Sequence, residues 1–596
     1  MKFRTALLLL LATTFAVVCQ TQSANAQSSG VPWRAVDALG RTVDSADQTR
    51  TLRKEKKVGI FYFLWLSESI PQSSWTEGPY DLSKILARLP EKERRNPELS
   101  KSKYWGNRNG IMHFWAEPLY GYYVSYDPWV IRRHMQLLVD AGIDFLVFDT
   151  TNNVTYPQSV AAICDVMKKM REEGFATPQI TFMINTNADQ TANKLWNEVY
   201  NTGKYDELLL QLDGKPLLVG DPEVIQSAEI KEKLTLRRAH WPFTMVNTEK
   251  AWHWEAAYPQ PYGWKDDPNV AEQVNVSVAQ NLSRQPDAHV ANMSSGEARG
   301  RSFHNGVVEE RLDTDKGWNF EEQWKRAYEL DPQFVMITGW NEWIAGRWTR
   351  GDRNVFVDQY DREYSRDIEP MKGGHLDNYY LQMIQGIRKY KGAPSAPNLT
   401  ATKTIDVAGD FSQWNDVDLV FSDWIGEVAE RDFPGAGGTH YVNKSGRNDF
   451  KVFKATRDAD NFYFYAQTVD EIQPKDKPDG LRLLIDADNN LSTGFIGGDV
   501  LIGSKYDESG AQYETFAGEK TNDWKWNEKG TVKCKIEGNE IMFEVPCKVL
   551  GLKTASFNSI SFKWLDNVGN DDVKVENVYT SGDVAPESRF FFNAVE

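Results

Sequence analysis

One stretch of the chain combines an apolar run, a glycine and a single carboxylate among tryptophans. Residues 334–337 have the pattern of a buried strand that stops before Gly339, and Glu342 then follows close to Trp340, Trp343 and Trp348. Flat aromatic faces pack against the apolar faces of sugar rings, and a carboxylate is the usual proton carrier or nucleophile at a glycosidic bond. The pattern predicts such chemistry at Glu342. The alternative is a strand end capped by core tryptophans, with Glu342 paired to an arginine.

Chemistry of this kind needs a second carboxylate opposite the first. Asp149 is the first charged residue after an apolar run, and Glu255 lies in a segment dense in aromatic residues. We therefore predict Glu342, Asp149 and Glu255 as catalytic candidates. Glu68 and Glu297 are further candidates for the second carboxylate, and Asp149 also fits the role of a loop cap.

Other residues near predicted strand ends have types that suit a sugar-binding cleft. The aromatic and amide candidates are Trp65, Trp252, Trp254, Trp340, Asn341 and Trp343. The cationic candidates, which would bind hydroxyls or an anionic sugar substituent, are Arg299, Arg301, His304 and Arg347. The same aromatics also fit a packed lid, and the same arginines also fit a role as partners of buried carboxylates.

Alternating strand and helix patterns between residues 55 and 390 would position these side chains. Strands are predicted at 58–65, 143–148, 179–184, 216–219, 243–246, 274–278 and 334–338. Helices are predicted at 128–141, 158–173, 191–202 and 320–330. Repeated β-then-α order predicts a parallel sheet, and one more strand within 252–264 would complete an eight-stranded, TIM-like (β/α)8 barrel. A doubly wound sheet is the alternative; polar and aromatic residues just after the strand ends favour the barrel.

The remainder of the chain has a different pattern. Residues 391–398 are rich in Gly, Ala and Pro and predict a linker, so the two parts should be separable. Residues 399–596 show strand alternation with little helix pattern, which predicts an antiparallel β-sandwich. A hairpin turning at 538–539 would place Cys534 opposite Phe543 rather than Cys547, which argues against a direct cross-strand disulfide.

An oxygen-rich loop in this second part could hold a metal. Asp486, Asp488 and Asn490 supply hard oxygen ligands at alternate positions, as calcium prefers. We therefore predict a structural calcium ion there and no cofactor for catalysis. An ordinary Asp/Asn turn is the alternative.

The N-terminus has the pattern of a secretion signal. Lys2 and Arg4 precede an apolar run of about 13 residues, short of the roughly 20 that span a bilayer, and Ala24 and Ala26 fit a cleavage site. We predict a signal peptide at 1–26, a lead-in at 27–54 and a secreted or periplasmic protein without a membrane span. Lipid anchoring at Cys19 is the less favoured alternative.

Composition limits the partners. The chain of 596 residues carries a formal charge of −16, which argues against nucleic acid and anionic membranes as partners. Its 21 tryptophans suit carbohydrate surfaces, although large cores also use them.

Two stretches of residues 55–390 resemble a known group of barrels. The ending Gly339-Trp-Asn-Glu-Trp343, and the run 141–149 with its Ala-Gly-Ile turn, resemble the WbsX-like family. That family is related to the endo-α-mannosidases of glycoside hydrolase family 99 and the α-1,3-glucanases of family 71. The mannosidases carry two glutamates three residues apart, whereas Ala345 stands three residues after Glu342. The second carboxylate and the stereochemical outcome therefore stay open.

The C-terminal part resembles carbohydrate-binding modules of the family 9 type. The stretch 406–414 is similar to the opening of those modules, and 483–495 is similar to their oxygen-rich loop. The two resemblances imply a glycoside hydrolase acting on a poly- or oligosaccharide, either neutral or anionic, and the N-terminal signal pattern predicts that it is secreted. The alternative is a non-catalytic, secreted glycan-binding protein, and a polysaccharide lyase is a third option.

Overall fold

The computed structural model describes residues 30–94, 96–106, 110–307, 313–473, 480–507, 509–557, 560–569 and 572–596. The predicted signal peptide therefore lies outside the described residues. Within the described residues, no helix is both long enough and apolar enough to cross a bilayer.

Eight parallel strands form a nearly closed barrel. They are β1 (Lys57–Tyr62), β2 (Phe145–Asp149), β3 (Gln179–Met183), β4 (Lys215–Val219), β5 (Thr235–His240), β6 (Ala251–His253), β7 (Ala271–Ser277) and β8 (Phe334–Thr338). Each strand pairs in parallel with the next, and β8 pairs with β1, except between β6 and β7. The prediction of a parallel barrel rather than an open doubly wound sheet is confirmed at this level.

A side chain spans the one unpaired seam. Gln273 of β7 accepts a hydrogen bond from the N–H of His253 at 2.8 Å and donates to the carbonyl of the same residue at 3.0 Å. These are the two bonds that a neighbouring backbone would make in a β-ladder. Gln273 thereby completes the ring between β6 and β7.

Alternation along the strands sends apolar side chains to both faces. Phe61, Val147, Met183 and Met336 belong to the cluster that fills the barrel, whereas Ile60, Leu146 and Ile337 pack in the layer of helices outside it. This is the two-residue period expected of a strand buried on both faces.

The strand predicted at 243–246 is wrong. The fifth strand, β5, lies earlier, and Phe243 and Val246 are 69% and 61% exposed in the loop that follows it. The sequence of β5 contains charged residues and so lacks the apolar pattern of a buried strand. One of them, Arg237, is buried in a bidentate pair with Glu272, at 2.7 and 2.8 Å. The eighth strand predicted within 252–264 corresponds to β6.

Helices pack around the barrel, although not after every strand. They are α1 (Pro128–Ala141), α2 (Pro157–Glu172), α3 (Ala188–Leu195), α4 (Ala228–Lys233), α5 (Trp318–Leu330) and α6 (Asn378–Lys391). Helix α1 has the predicted bounds because Asp127 caps it, accepting from the N–H of Trp129 at 3.0 Å, and Gly142 ends it with φ of 89°. Residues 241–270, all of them described, form no helix, so the barrel departs from a regular (β/α)8 pattern.

Short elements lie between and beside the barrel strands. The strands are Ala35–Val36, Thr42–Val43, Ile111–Phe114, Gln211–Leu212, Thr248–Glu249, Gly263–Trp264, Gln280–Ser283, Ala298–Arg299, Ile344–Arg350 and Arg353–Phe356. The long insertion after β1 also contains the helices Leu82–Arg88 and Glu91–Arg94.

The C-terminal part is antiparallel, as predicted, but its strands form one continuous sheet instead of two. The strands are Val420–Ser422, Phe450–Arg457, Asn461–Thr468, Leu481–Asp486, Val500–Asp507, Gly510–Phe516, Trp526–Glu537, Glu540–Pro546, Ser561–Asp566, Asp583–Ala585 and Phe592–Asn593. The long strand Trp526–Glu537 joins the two halves, because its first part pairs with Gly510–Phe516 and its last part with Glu540–Pro546. The predicted sandwich is thus not confirmed. Cys534 does lie opposite Phe543, as predicted.

The two parts of the chain pack closely on each other. The hairpin formed by Arg431–Pro434 and His440–Asn443 reaches the barrel, where Arg431 donates to the capping residue Asp127 at 2.9 Å. The first residue of the predicted linker, Lys391, is buried against Asp144 at 2.6 Å. The two parts therefore contact each other through Arg431, and their separability stays a prediction.

Candidate active site

The turn after β8 is held in place by its backbone. The N–H of Trp340 donates to the carbonyl of Phe61 at 2.8 Å, and the side chain of Asn341 accepts from the N–H of Phe63 at 2.9 Å. The N–H of Glu342 donates to the carboxylate of Asp367. Bonds to β1 and to the segment around Asp367 thus fix the direction in which Glu342 leaves the strand end.

The carboxyl group of Glu342 is buried and held on one side. Its Oε2 accepts from Nε2 of Gln359 at 2.6 Å and from Nη2 of Arg366 at 2.8 Å. Burial raises the pKa of Glu342 well above its ordinary value, against the opposing charge of Arg366, and the carboxylates of Asp358 and Asp367 raise it further. Burial thus favours the protonated form of Glu342, and Arg366 opposes it.

Arg366 links Glu342 to a second carboxyl group. Its Nη1 lies 3.4 Å from Oε2 of Glu255, whose Oε1 accepts from the N–H of Asn281 at 2.9 Å. The guanidinium also lies 4.8 Å from the ring centre of Trp254. Burial raises the pKa of Glu255 to about 7, although Arg366 opposes the shift. One cation is thus shared between two buried acids.

A cavity of about 320 Å³ opens beside Glu342 at the carboxyl ends of the barrel strands. Aromatic rings form much of its wall, from Phe61, Phe63, Trp65, Trp241, Phe243 and Trp254. The polar lining consists of Asp149, Thr151, Asn152, Asn185, Asn281, Glu342, Asp358 and Arg366. The volume is at the lower end of the range of small-molecule sites.

Three carboxyl groups line this cavity: Glu342, Asp149 and Asp358. Oδ1 of Asp149 accepts from the N–H of Thr151 at 3.0 Å and from its hydroxyl at 2.7 Å. Burial raises the pKa of Asp149 against these two bonds, and burial raises the pKa of Asp358 against the charge of Arg366. The cavity thus combines three carboxyl groups, which can donate or accept a proton, with a wall of aromatic rings.

The other predicted aromatic and amide residues do not line the cavity. Trp252 is buried inside the barrel with its ring centre 5.1 Å from that of Phe334, and Trp340 packs edge-on against His134 at 5.5 Å. Trp343 stacks on Trp115 at 4.9 Å. Asn341 is fully buried in the turn. Trp340, Asn341 and Trp343 are thus core residues, as in the core alternative for the segment around Glu342, whereas Trp252 belongs to the barrel interior.

The predicted cationic residues also lie outside the cavity lining. Arg301 is fully buried and donates to the carbonyl of Asp367 at 2.8 Å, so it supports the segment that holds Glu342. Arg299 donates to the carbonyl of Ser283 at 2.9 Å, and Arg347 to the side chain of Asn354 at 3.5 Å. The ring of His304 packs against Trp318.

Sequence reasoning missed Asp358, Gln359, Arg366, Trp241 and Phe243. A signal for the first three was present, since the segment 358–369 is dense in acidic residues and contains two arginines. Such a segment outside any periodic pattern is typical of a functional loop. The aromatic pair was obscured by the incorrect strand prediction at 243–246.

The predicted calcium loop has the bonds of a polar turn. The N–H of Asn490 donates to Asp488 at 2.9 Å and to Asp486 at 3.2 Å, while the side chain of Asn490 accepts from the N–H of Ser492 at 3.1 Å. Carboxylate oxygens of Asp486, Asp488 and Asp499 lie within 4.8 Å of one another. Calcium in this loop stays a prediction, and Asp499 stands where the prediction had Asn490.

Comparison with solved structures gave the following distant likenesses. No family model and no curated protein matches the chain. The structure of the family 99 endo-α-mannosidase from Bacteroides thetaiotaomicron aligns with a TM-score of 0.32 and 14% identity over 58% of this chain and 100% of that one. The same enzyme in complex with bis-tris propane aligns with a TM-score of 0.31 and 14% identity over 57% and 98%. An α-L-fucosynthase from Thermotoga maritima, in complex with a fucosyl azide disaccharide, aligns with a TM-score of 0.24 and 10% identity over 85% and 95%. Likeness at this level identifies no catalytic residue in this chain.

Proposed function

We propose that the protein hydrolyses glycosidic bonds in the cavity beside Glu342. One observation carries the proposal: a buried carboxyl group, whose pKa is raised by burial, opens onto a cavity walled by indole and phenyl rings and lined by two further carboxyl groups. Cleavage of a glycosidic bond needs an acid that protonates the leaving oxygen and a second carboxylate that acts on the sugar carbon or on water. Rings that stack on sugar faces supply the binding surface.

Glu342 is the proton donor in this proposal. Its Oε2 is held by Gln359 and Arg366, whereas its Oε1 accepts no hydrogen bond from the described residues and is available to a ligand. Burial raises the pKa of this group and so favours the protonated form that a general acid requires. Arg366 then stabilises the carboxylate that remains after proton transfer.

Asp149 is the proposed partner carboxylate. It ends a barrel strand, so its backbone is rigid, and the two donors of Thr151 orient its carboxyl group. These bonds favour the charged form that a base or nucleophile needs, and they oppose burial, which raises the pKa of Asp149. Asp358 lines the same cavity and is the comparison residue for the experiment.

The lining also indicates the class of sugar. Arg366 is the one cationic side chain among the described residues that line the cavity, and it is engaged by two carboxyl groups. An anionic sugar substituent would meet three acids without a free cation. We therefore propose a neutral glycan, of which one or two sugar rings enter the cavity.

The test is a panel of neutral and anionic oligosaccharides incubated with the full-length protein, with products identified by mass spectrometry. Wild-type protein should cleave a neutral glycan, and Glu342→Gln should reduce turnover by at least about 100-fold while retaining binding. Glu297→Gln, at an exposed glutamate outside the cavity, is the matched control and should leave turnover unchanged.

Asp149→Asn and Asp358→Asn separate the two candidates for the partner carboxylate, and the larger loss is expected for Asp149→Asn. Glycan binding without cleavage of any panel member would contradict the proposal and would indicate a non-catalytic binding protein.

A further inference from the structure

A second group of acids lies outside the cavity, between helix α1 and the C-terminal sheet. Asp423, Glu427 and Asp583 each present one carboxylate oxygen, and the three oxygens lie within 4.8 Å of one another. The side chains are only 7%, 2% and 1% exposed. Three acids so close together and so deeply buried need a positive partner.

Each of the three acids has an oxygen to which no N–H or hydroxyl group of the described residues donates. These atoms are Oδ2 of Asp423, Oε1 of Glu427 and Oδ1 of Asp583, and all three are buried. The opposite oxygens of two acids are already bonded: Oε2 of Glu427 accepts from Gln136 at 2.6 Å, and Oδ2 of Asp583 accepts from the N–H of Phe450 at 2.6 Å. Unpaired buried oxygens are costly, so the free atoms mark the position of an unfilled partner.

The cations nearby do not fill that position. Arg133 lies 3.4 Å from Oε2 of Glu427 and 3.3 Å from Glu587, a further buried acid at the same place. Lys563 donates to the backbone carbonyls of Phe590 and Pro586. Four buried carboxyl groups, from Asp423, Glu427, Asp583 and Glu587, thus lie near two cations.

We propose that Asp423, Glu427 and Asp583 bind one calcium ion at this position. The ligands are oxygens only, which hard divalent cations prefer, and the amide oxygen of Gln136 also lacks a partner among the described residues and offers a neutral ligand. Calcium tolerates irregular arrangements of carboxylates, whereas magnesium demands a near-ideal octahedron. The ion would neutralise the excess charge and occupy the unpaired oxygens.

Such an ion would hold the two parts of the chain together. Gln136 and Arg133 belong to α1, which packs on the barrel, and both contact Glu427 of the C-terminal part. Asp583 belongs to a strand of the C-terminal sheet. The site is thus structural and does not depend on the proposed hydrolysis.

The experiment uses the full-length protein, stripped with EDTA and then dialysed against calcium chloride. Bound calcium is counted by mass spectrometry of the metal, and Tm is measured with and without calcium. Wild-type protein should gain calcium and a Tm higher by a few degrees, because a ligand of the native state stabilises it. Glu427→Gln should lose one calcium ion per chain and the rise in Tm.

Asp488→Asn is the matched control, because it lies in the other acidic cluster of the described residues. It should retain the calcium ion at Asp583 and the calcium-dependent Tm. If Glu427→Gln does not fold, the calcium content of Asp488→Asn is the test. One calcium ion still bound to this variant supports the proposal, and the loss of all calcium contradicts it. A stripped wild-type protein that takes up no calcium, or a folded Glu427→Gln with unchanged calcium content, would overturn it.

Discussion

At the scale of single residues, the centre of the candidate site is a guanidinium between two acids. Arg366 contacts Glu342 at 2.8 Å and Glu255 at 3.4 Å, and its planar group lies over Trp254. Only a flat, forked cation reaches two carboxyl groups while stacking on an indole. The position of Glu342, the proposed proton donor, and the acidity of its carboxyl group therefore both depend on Arg366.

Replacing this arginine by lysine tests that dependence. Lysine keeps the charge but provides a single ammonium, so Arg366→Lys should lower kcat/KM by about 100-fold. Since Arg366 lowers the pKa of Glu342, weaker contact should raise that pKa further. The alkaline limb of the pH–rate profile, where the proton donor ionises, should then move to higher pH. Arg353→Lys, at an arginine paired with Glu98 outside the cavity, is the control; equal profiles for all three proteins would refute the assignment.

Glu255 predicts a pH dependence of stability. Its folded-state pKa of about 7 lies above the ordinary value of 4.5, so the folded state binds this proton more tightly than the unfolded state. The stabilisation is complete below pH 4.5 and is lost as the pH rises through 7, a change of roughly 3 kcal/mol. Urea unfolding at pH 5 and pH 8 should show a smaller difference for Glu255→Gln than for the wild type. The same difference in both proteins would disprove the assignment to Glu255.

At the scale of elements, the barrel depends on a side chain where its ladder is interrupted. Strand β6 is only three residues long, and β7 reaches it through both polar atoms of Gln273. The aromatic loop that follows β5 and the turn that follows β6 both line the cavity, through Phe243 and Trp254. An opening of the β6–β7 seam would therefore alter the wall of the site.

Gln273→Ala tests the contribution of this bridge. The substitution leaves a buried N–H and a buried carbonyl of His253 without partners, at a cost of about 1–3 kcal/mol for the unpaired groups. The control is Gln280→Ala, because Gln280 is also fully buried but its amide has no partner among the described residues. Free energies of unfolding in urea should differ between the two variants by that amount. An equal loss of unfolding free energy in both variants would show that the loss comes from the cavity left by the side chain and not from the hydrogen bonds of Gln273.

At the scale of the whole molecule, buried ion pairs join the barrel to the C-terminal sheet. Arg589 contacts Asp377, just before α6, with Nη2 at 3.0 Å from Oδ1, and the hydroxyl of Tyr579 donates to the same carboxylate at 2.6 Å. Arg431 contacts Asp127 at the start of α1. We expect the chain to unfold in one cooperative step, because separating the two parts would leave these charges unpaired.

Arg589→Met tests this coupling. It leaves Asp377 buried without its cation and should destabilise the whole chain by about 3–5 kcal/mol, whereas adding Asp377→Asn should recover part of the loss. Lys533→Met, at an exposed pair with Glu544, is the control and should barely change stability. Differential scanning calorimetry should show a single transition in every case. Two resolved transitions, of which Arg589→Met lowers the temperature of only one, would contradict the coupling.

The sequence by itself determined the elements whose signals are local. The bounds of α1 follow from the Asp127–Pro128 start and the Gly142 end, and β8 follows from an apolar run that stops at Gly339. The position of Glu342 at the end of a barrel strand was likewise predictable, since it depends on a run of adjacent residues.

Only the tertiary structure decided which side chains meet. Trp254 and Asp149 line the cavity, whereas Trp340, Trp343 and Arg301 do not. In the turn after β8, bonds to β1 and to Asp367 decide which side chain faces the cavity. Arg366 and Asp358 come from a loop without periodicity, so no local pattern assigns them to Glu342. The contact between α1 and the C-terminal sheet is likewise a long-range one. Local propensity encodes elements, whereas packing between distant segments decides the site.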